Sequence, residues 1–139
     1  MCDTLYHMFH TQESNISELT IYKKALAIFQ LSRRIAAYIT DDKDLISMYK
    51  SGSVSDNYAD NLVMNAYRLV PKIVEAEIQD NRSLKLKLAK SLSYFIERIY
   101  QDCLKLESIK IKGKDFVRLL RKELKKLQVI QTNYVNSLV

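Results

Sequence analysis

The side chains that most often carry catalysis or hold metals are scarce in this sequence. Its only two histidines, His7 and His10, stand with Cys2 in a Cys-x4-His-x2-His string. That string offers three ligands, whereas a closed zinc site needs four. The residues around it are rich in Thr, Ser and Asn and show no hydrophobic period, so it reads as a chance grouping on a leader spanning residues 1–17. No histidine follows residue 10. Imidazole acid–base chemistry is thereby excluded from the rest of the chain, including the Arg-x4-His arrangement of helical HEPN ribonucleases. Cys103 lies within a helical pattern, and two cysteines so placed form no disulfide framework.

Carboxylates are the next resource. A di-iron helical bundle needs inward-facing Glu-x-x-His pairs, and the sequence has none. Glu75 and Glu77 are two residues apart, so on a helix they diverge by about 200° and cannot share a face. Glu75 falls between apolar positions; it is expected to be partly buried beside a basic residue rather than to act as an acid or base. A glycine-rich phosphate loop, a Ser/His/Asp set and a Cys-x-x-Cys pair are all absent. The expectation is a non-enzymatic protein with no catalytic residues, no cofactor and no metal.

Charge is the chemistry that remains. The chain carries 22 Lys and Arg against 16 Asp and Glu, a net +6. Residues 82–126 hold 14 cations and 5 carboxylates, a local balance of +9, and the rest of the chain sums to −3. On a helix, Arg118, Arg121, Lys122, Lys125 and Lys126 fall within an arc of about 140°, opposite the apolar seam. Lys110, Lys112 and Lys114 precede them, and within this ridge only Asp115 and Glu123 offset the charge. Lys87, Lys90, Arg98 and Lys105 lie on a related outer face of the preceding helix. A mixed surface would interleave carboxylates at i,i+4, and cations left unopposed repel one another unless an anionic partner relieves them. These twelve residues are the candidate nucleic-acid-binding set. They would contact phosphates, giving salt-dependent affinity with little sequence readout.

The elements that must position this set follow from composition and period. A chain of 139 residues can bury a single core without staples. Two glycines and one proline leave few tight turns, so long helices are the economical reading. Helices are expected over about 17–40, 55–79, 83–111 and 114–137, making an antiparallel four-helix bundle over 18–139. Their seams are Ile21, Ala25, Ile28, Ile35 and Ile39; then Tyr58, Leu62, Ala66, Leu69, Ile73 and Ala76, with Val63, Val70 and Val74 beside them. The third seam is Leu84, Leu88, Leu92, Phe95, Ile99, Cys103 and Leu106, and the fourth Phe116, Leu120, Leu124, Leu127, Tyr134 and Leu138. Pro71 lies within the second helix, which is expected to continue, kinked, across it. Gly113 is placed as a C-cap for the third. The nine tyrosines suit core edges, and surplus apolar positions on helices 1 and 2 point to self-association. No apolar run approaches the ~20 residues needed to span a bilayer, and no signal peptide is evident, which predicts a cytoplasmic protein without membrane contact.

Short motifs along these helices resemble a known family. Leu19-Thr-Ile-Tyr22-Lys-Lys-Ala25-Leu26 is similar to a "YxxAL" opening helix, and Val70-Pro71-Lys-Ile73-Val74-Glu75-Ala76 to an "IP…IxEA" second helix. Leu88-Ala89-Lys-Ser91-Leu92 and the basic link into helix 4 complete the likeness over residues 19–137. The chain thus resembles the bacterial four-helix bundles encoded in intervening sequences of 23S rRNA genes. Their relatives include the accessory variability determinant (Avd) of diversity-generating retroelements. It departs from them at Lys90-Ser91, where the family has Gly-Ser, at Thr40–Asp44, which replaces a proline-containing link, and at Tyr134, the aromatic nearest to a missing C-terminal tryptophan. The resemblance implies a non-enzymatic, barrel-like homo-oligomer, commonly a pentamer, that binds RNA and partners a reverse transcriptase. The alternative, motivated by the surplus apolar positions on helices 1 and 2, is a protein–protein adaptor or structural homo-oligomer of the 23S intervening-sequence type without a direct nucleic-acid role.

Overall fold

The four apolar periods become four long helices in a computed structural model, which describes residues 15–41, 46, 50 and 52–139. They are α1 (Thr20–Ile39), α2 (Val54–Ile78), α3 (Arg82–Glu107) and α4 (Lys114–Ser137). No strand occurs among the described residues. Each helix packs on two others, in the cycle α1–α2–α3–α4–α1. Neighbours run antiparallel: Ala36 clusters with Ala59 and Val63, Asn65 meets Asp102, and Gln131 meets the backbone at Ala89. The Cys2, His7 and His10 string, and most of the patch Leu45, Ile46, Met48 and Tyr49, lie outside the described residues; Ile46 itself is exposed.

The core is a column of Ile and Leu. Ile28, Leu62, Leu69, Ile73, Leu92, Ile99, Leu106, Leu120, Leu124 and Leu127 are all fully buried, each stabilising the fold by about 2 kcal/mol relative to exposure. All five seam positions expected of α1 are buried. The second apolar row of α2 is used within the chain, since Ala59 and Val63 pack on Ala36 and Phe29 of α1. In α3 the buried row is Ala89, Leu92, Ile96, Ile99, Cys103 and Leu106, so Leu84 is exposed where a seam residue was expected. In α4, Val117 takes the buried place expected of Phe116, which lies outward with its ring edge-on to Tyr38. Small Ala89 explains part of the shift: Gln131 of α4 reaches its carbonyl at 3.0 Å, which a bulky side chain facing α4 would obstruct. Burial pushes the Cys103 thiol up to about 12, so it stays protonated at neutral pH.

Helix boundaries have local causes. Residues 15–18 are helical and Ile16 is buried, so the end of the expected leader belongs to the fold. The chain is extended at Leu19 before α1 begins. Thr40 closes α1 by donating its hydroxyl to the Ala36 carbonyl at 2.7 Å, and Asp41 follows at φ 55°. Ser53 and Asn81 cap α2 and α3 by accepting from the backbone N–H groups of Asp56 and Leu84. Pro71 sits inside a continuous α2, on its exposed side. The carbonyl it leaves without an N–H, that of Tyr67, belongs to another exposed residue, so water can satisfy it.

α3 ends at Glu107 rather than at 111, because Ser108 turns its N–H and its hydroxyl back onto the last turn. Gly113 is accordingly not the C-cap of α3 but the residue that opens α4, at φ 83°. Glu75 is exposed beside Lys72, contrary to expectation, because it points about 200° away from Ile73. Glu77, only about 40° from Ile73, is the half-buried one, and it accepts from the Tyr134 hydroxyl at 2.5 Å.

Candidate nucleic-acid interface

On α3, Lys87, Arg98 and Lys105 fall within about 20° of one another around the helix axis, with Lys90 about 60° to one side. All four are exposed. From Lys87 to Lys105 the stripe runs about 27 Å at 1.5 Å per residue. None has a described carboxylate within ion-pairing distance; Arg98 instead lies 5.7 Å from the Tyr94 ring centroid and donates to its hydroxyl at 3.3 Å. Lys110 in the link, Lys114 at the start of α4, and Lys122 and Lys125 on its outer side are likewise without such a partner. Eight of the twelve expected residues therefore present charge unopposed by any described carboxylate within ion-pairing distance.

The other four are built into the bundle. Arg121 donates to Glu107 Oε1 at 2.9 Å and to the Tyr100 hydroxyl at 3.5 Å. Its Nε also lies 2.9 Å from Glu107 Oε2, an ion-pair contact without hydrogen-bond alignment. The Tyr100 hydroxyl first, and Glu107 second, hold the guanidinium even more firmly protonated than usual. Arg118 bonds Asp115 at 2.9 Å and lies 3.5 Å from the same Glu107. Lys126 meets Glu123 at 3.1 Å; Glu123 also binds Lys24 of α1, and these two lysines, Lys24 foremost, hold its carboxyl below the ordinary range. Lys112 pairs with Asp41 at the end of α1 and lies 5.1 Å from the Tyr38 ring centroid. The ridge is thus offset by Glu107 and Asp41 as well as by Asp115 and Glu123. Residues about equally far from the middle of the 108–113 link meet across an antiparallel pair, and that symmetry is the signal in the sequence that points Tyr100 at Arg121; Glu107, beside the link itself, carries no such signal.

A buried polar pair flanks the same helix on its α2 side. Asn65 Nδ2 donates to Asp102 Oδ2 at 2.6 Å. Burial raises the Asp102 carboxyl above its ordinary value near 3.8, outweighing the Asn65 bond and the nearby Lys105 and Arg98, which lower it. The folded state then holds this proton more tightly than the unfolded chain does. Stability is consequently lost as pH rises above the unfolded value, through the folded one. Asp102→Asn keeps an acceptor for Asn65 and removes the buried charge. The variant is expected to melt above wild type at pH 7, with the gap closing as the pH is lowered towards 4. Scanning calorimetry showing equal or lower Tm at pH 7 would contradict this.

Apolar surface remains on the α1–α4 side, where an open groove of about 280 Å³ is lined by Ala27, Leu31 and Leu119 among Lys24, Arg34 and Glu123. No described helix is long and apolar enough to cross a membrane. Comparison with family models, curated proteins and solved structures found no match.

Proposed function

We propose that this chain is a non-enzymatic, cytoplasmic accessory protein that binds RNA across the outward faces of α3 and α4. The observation that carries the reading is the eight cations on these helices and their link that have no described carboxylate within ion-pairing distance. A surface built only for solubility intersperses both signs, as the arginines of this same ridge do where they meet acids. The likeness to retroelement accessory bundles supports assembly into a homo-oligomer, a pentamer in that family, and partnership with a reverse transcriptase. The test is binding of the purified protein to structured RNA, followed by fluorescence anisotropy. Association is expected at ~50 mM salt, with a steep loss towards 200 mM. Absence of binding at the lower salt overturns the reading.

The α1–α4 groove favours a second reading, a protein–protein adaptor or structural homo-oligomer. Leu119, which lines it, is about half exposed. In that case light scattering gives a defined oligomer while RNA fails to bind at any salt.

A further inference from the structure

We infer that Tyr94 is a stacking platform for an unpaired base, so that the nucleic acid taken by α3 is single-stranded RNA. The inference rests on the reading of α3 and α4 as an RNA surface and adds the form of the ligand. Tyr94 is 59% exposed, more than any other aromatic residue described. The remaining exposed rings have ring neighbours elsewhere in the fold: Tyr38 and Phe116 pack on each other across α1 and α4, and Tyr67 on Phe29. Tyr94 instead stands in a T-shaped arrangement with the adjacent Phe95, with centroids 5.6 Å apart, and is braced by Arg98. It lies at nearly the same angle around α3 as Lys87, Arg98 and Lys105, midway along their stripe.

A ring held by a guanidinium and flanked by lysines pairs two functions. The lysines track a phosphate backbone, and the ring offers a π-face that every base can use. In a duplex the bases stack on each other, leaving phosphates as the contact available to this surface. A single strand can turn one base onto Tyr94 while its backbone runs between the cations. The stripe of about 27 Å is the length over which the cations could track a strand. Ser91 and Gln101 share this face as neutral residues; the Ser91 hydroxyl donates to the Leu88 carbonyl at 2.6 Å, and Glu97, at the edge of the face, is engaged by Gln101 at 2.8 Å.

The experiment compares wild type, Tyr94→Ala and Tyr94→Phe in anisotropy titrations at ~50 mM salt. The probes are a labelled 12-nucleotide oligoadenylate and a labelled 12-base-pair RNA duplex. Tyr94→Ala is expected to weaken single-strand binding by roughly 5- to 150-fold, the range that stacking of one base supplies. Duplex binding should stay within about twofold, and Tyr94→Phe should behave as wild type. Equal single-strand affinity for Tyr94→Ala and wild type overturns the inference while leaving the RNA surface standing. The same holds if both probes lose equally, or if Tyr94→Phe is as weak as Tyr94→Ala. Failure of wild type to bind either probe overturns both readings together. Far-ultraviolet circular dichroism of each variant separates loss of the ring from loss of the helix.

Discussion

Changing Lys87, Lys105, Lys122 and Lys125 together to glutamine is expected to leave the bundle folded and remove most of its affinity for RNA. None of the four has a described carboxylate within ion-pairing distance, and all are exposed. Lysine and glutamine have similar helix propensities, so the cost to stability at each site stays within about 0.5 kcal/mol. Binding should respond differently, because each phosphate contact to a single strand contributes about 0.7 to the slope of log affinity against log salt. Four lost contacts make that slope shallower by roughly 3. Arg118 and Arg121 provide the contrast. Glu107 holds both, and its carboxylate is only 12% exposed. Changing these arginines to glutamine is expected to lower the melting temperature while sparing affinity per folded molecule. A quadruple lysine variant that binds with the wild-type slope would remove α3 and α4 from the interface.

The second large effect falls at Gly113. Its φ of 83° belongs to the left-handed region, where a β-carbon costs about 1–2 kcal/mol. Space is a separate obstacle, since that carbon would stand 2.8 and 2.9 Å from Cδ1 and Cε1 of Tyr38. The ring cannot easily swing away, because Phe116 packs against it and Lys112 lies over it. Overpacking of this kind costs about 1–3 kcal/mol, so with the backbone term Gly113→Ala is expected to lose about 2–5 kcal/mol in urea unfolding. Combining it with Tyr38→Ala separates the terms. The clash disappears and the backbone strain stays, so the two changes should be less than additive. Full additivity would mean that the contact with Tyr38 contributes nothing.

These two sites differ in how far the sequence disclosed them. The α1 seam was legible residue by residue because an isolated 3.6-residue period fixes which side chains share a face. In α3, by contrast, the fully buried places expected of Leu88 and Phe95 are taken by their neighbours Ala89 and Ile96. Periodicity ranks residues by apolar character, whereas the close approach of α4 to the α3 backbone favours a small side chain at 89. The same limit applied to the charges. Counting cations found the ridge, but only antiparallel packing showed that Glu107 faces Arg121 and that Asp41 reaches Lys112. Tyr94 was one tyrosine among nine in the sequence; its exposure depends on which side of α3 the neighbouring helices leave open. Glu75 and Glu77 make the point most simply, since their burial follows from a rotation of about 200° between them.

The polar contacts inside the bundle bear on its uniqueness. A column made only of Leu and Ile is tolerant of sliding, because one turn of displacement, about 5.4 Å, replaces one aliphatic contact with another. Two contacts do not tolerate it: Asn65 with Asp102 between α2 and α3, and Gln131 with the Ala89 carbonyl between α3 and α4. A slip of one turn would strand buried donors and acceptors at about 1–3 kcal/mol each. Both keys engage α3, the helix that carries the exposed ring and half of the free cations. They fix its height against both neighbours, and with it the alignment of the α3 and α4 charges that a backbone of regularly spaced phosphates would have to match.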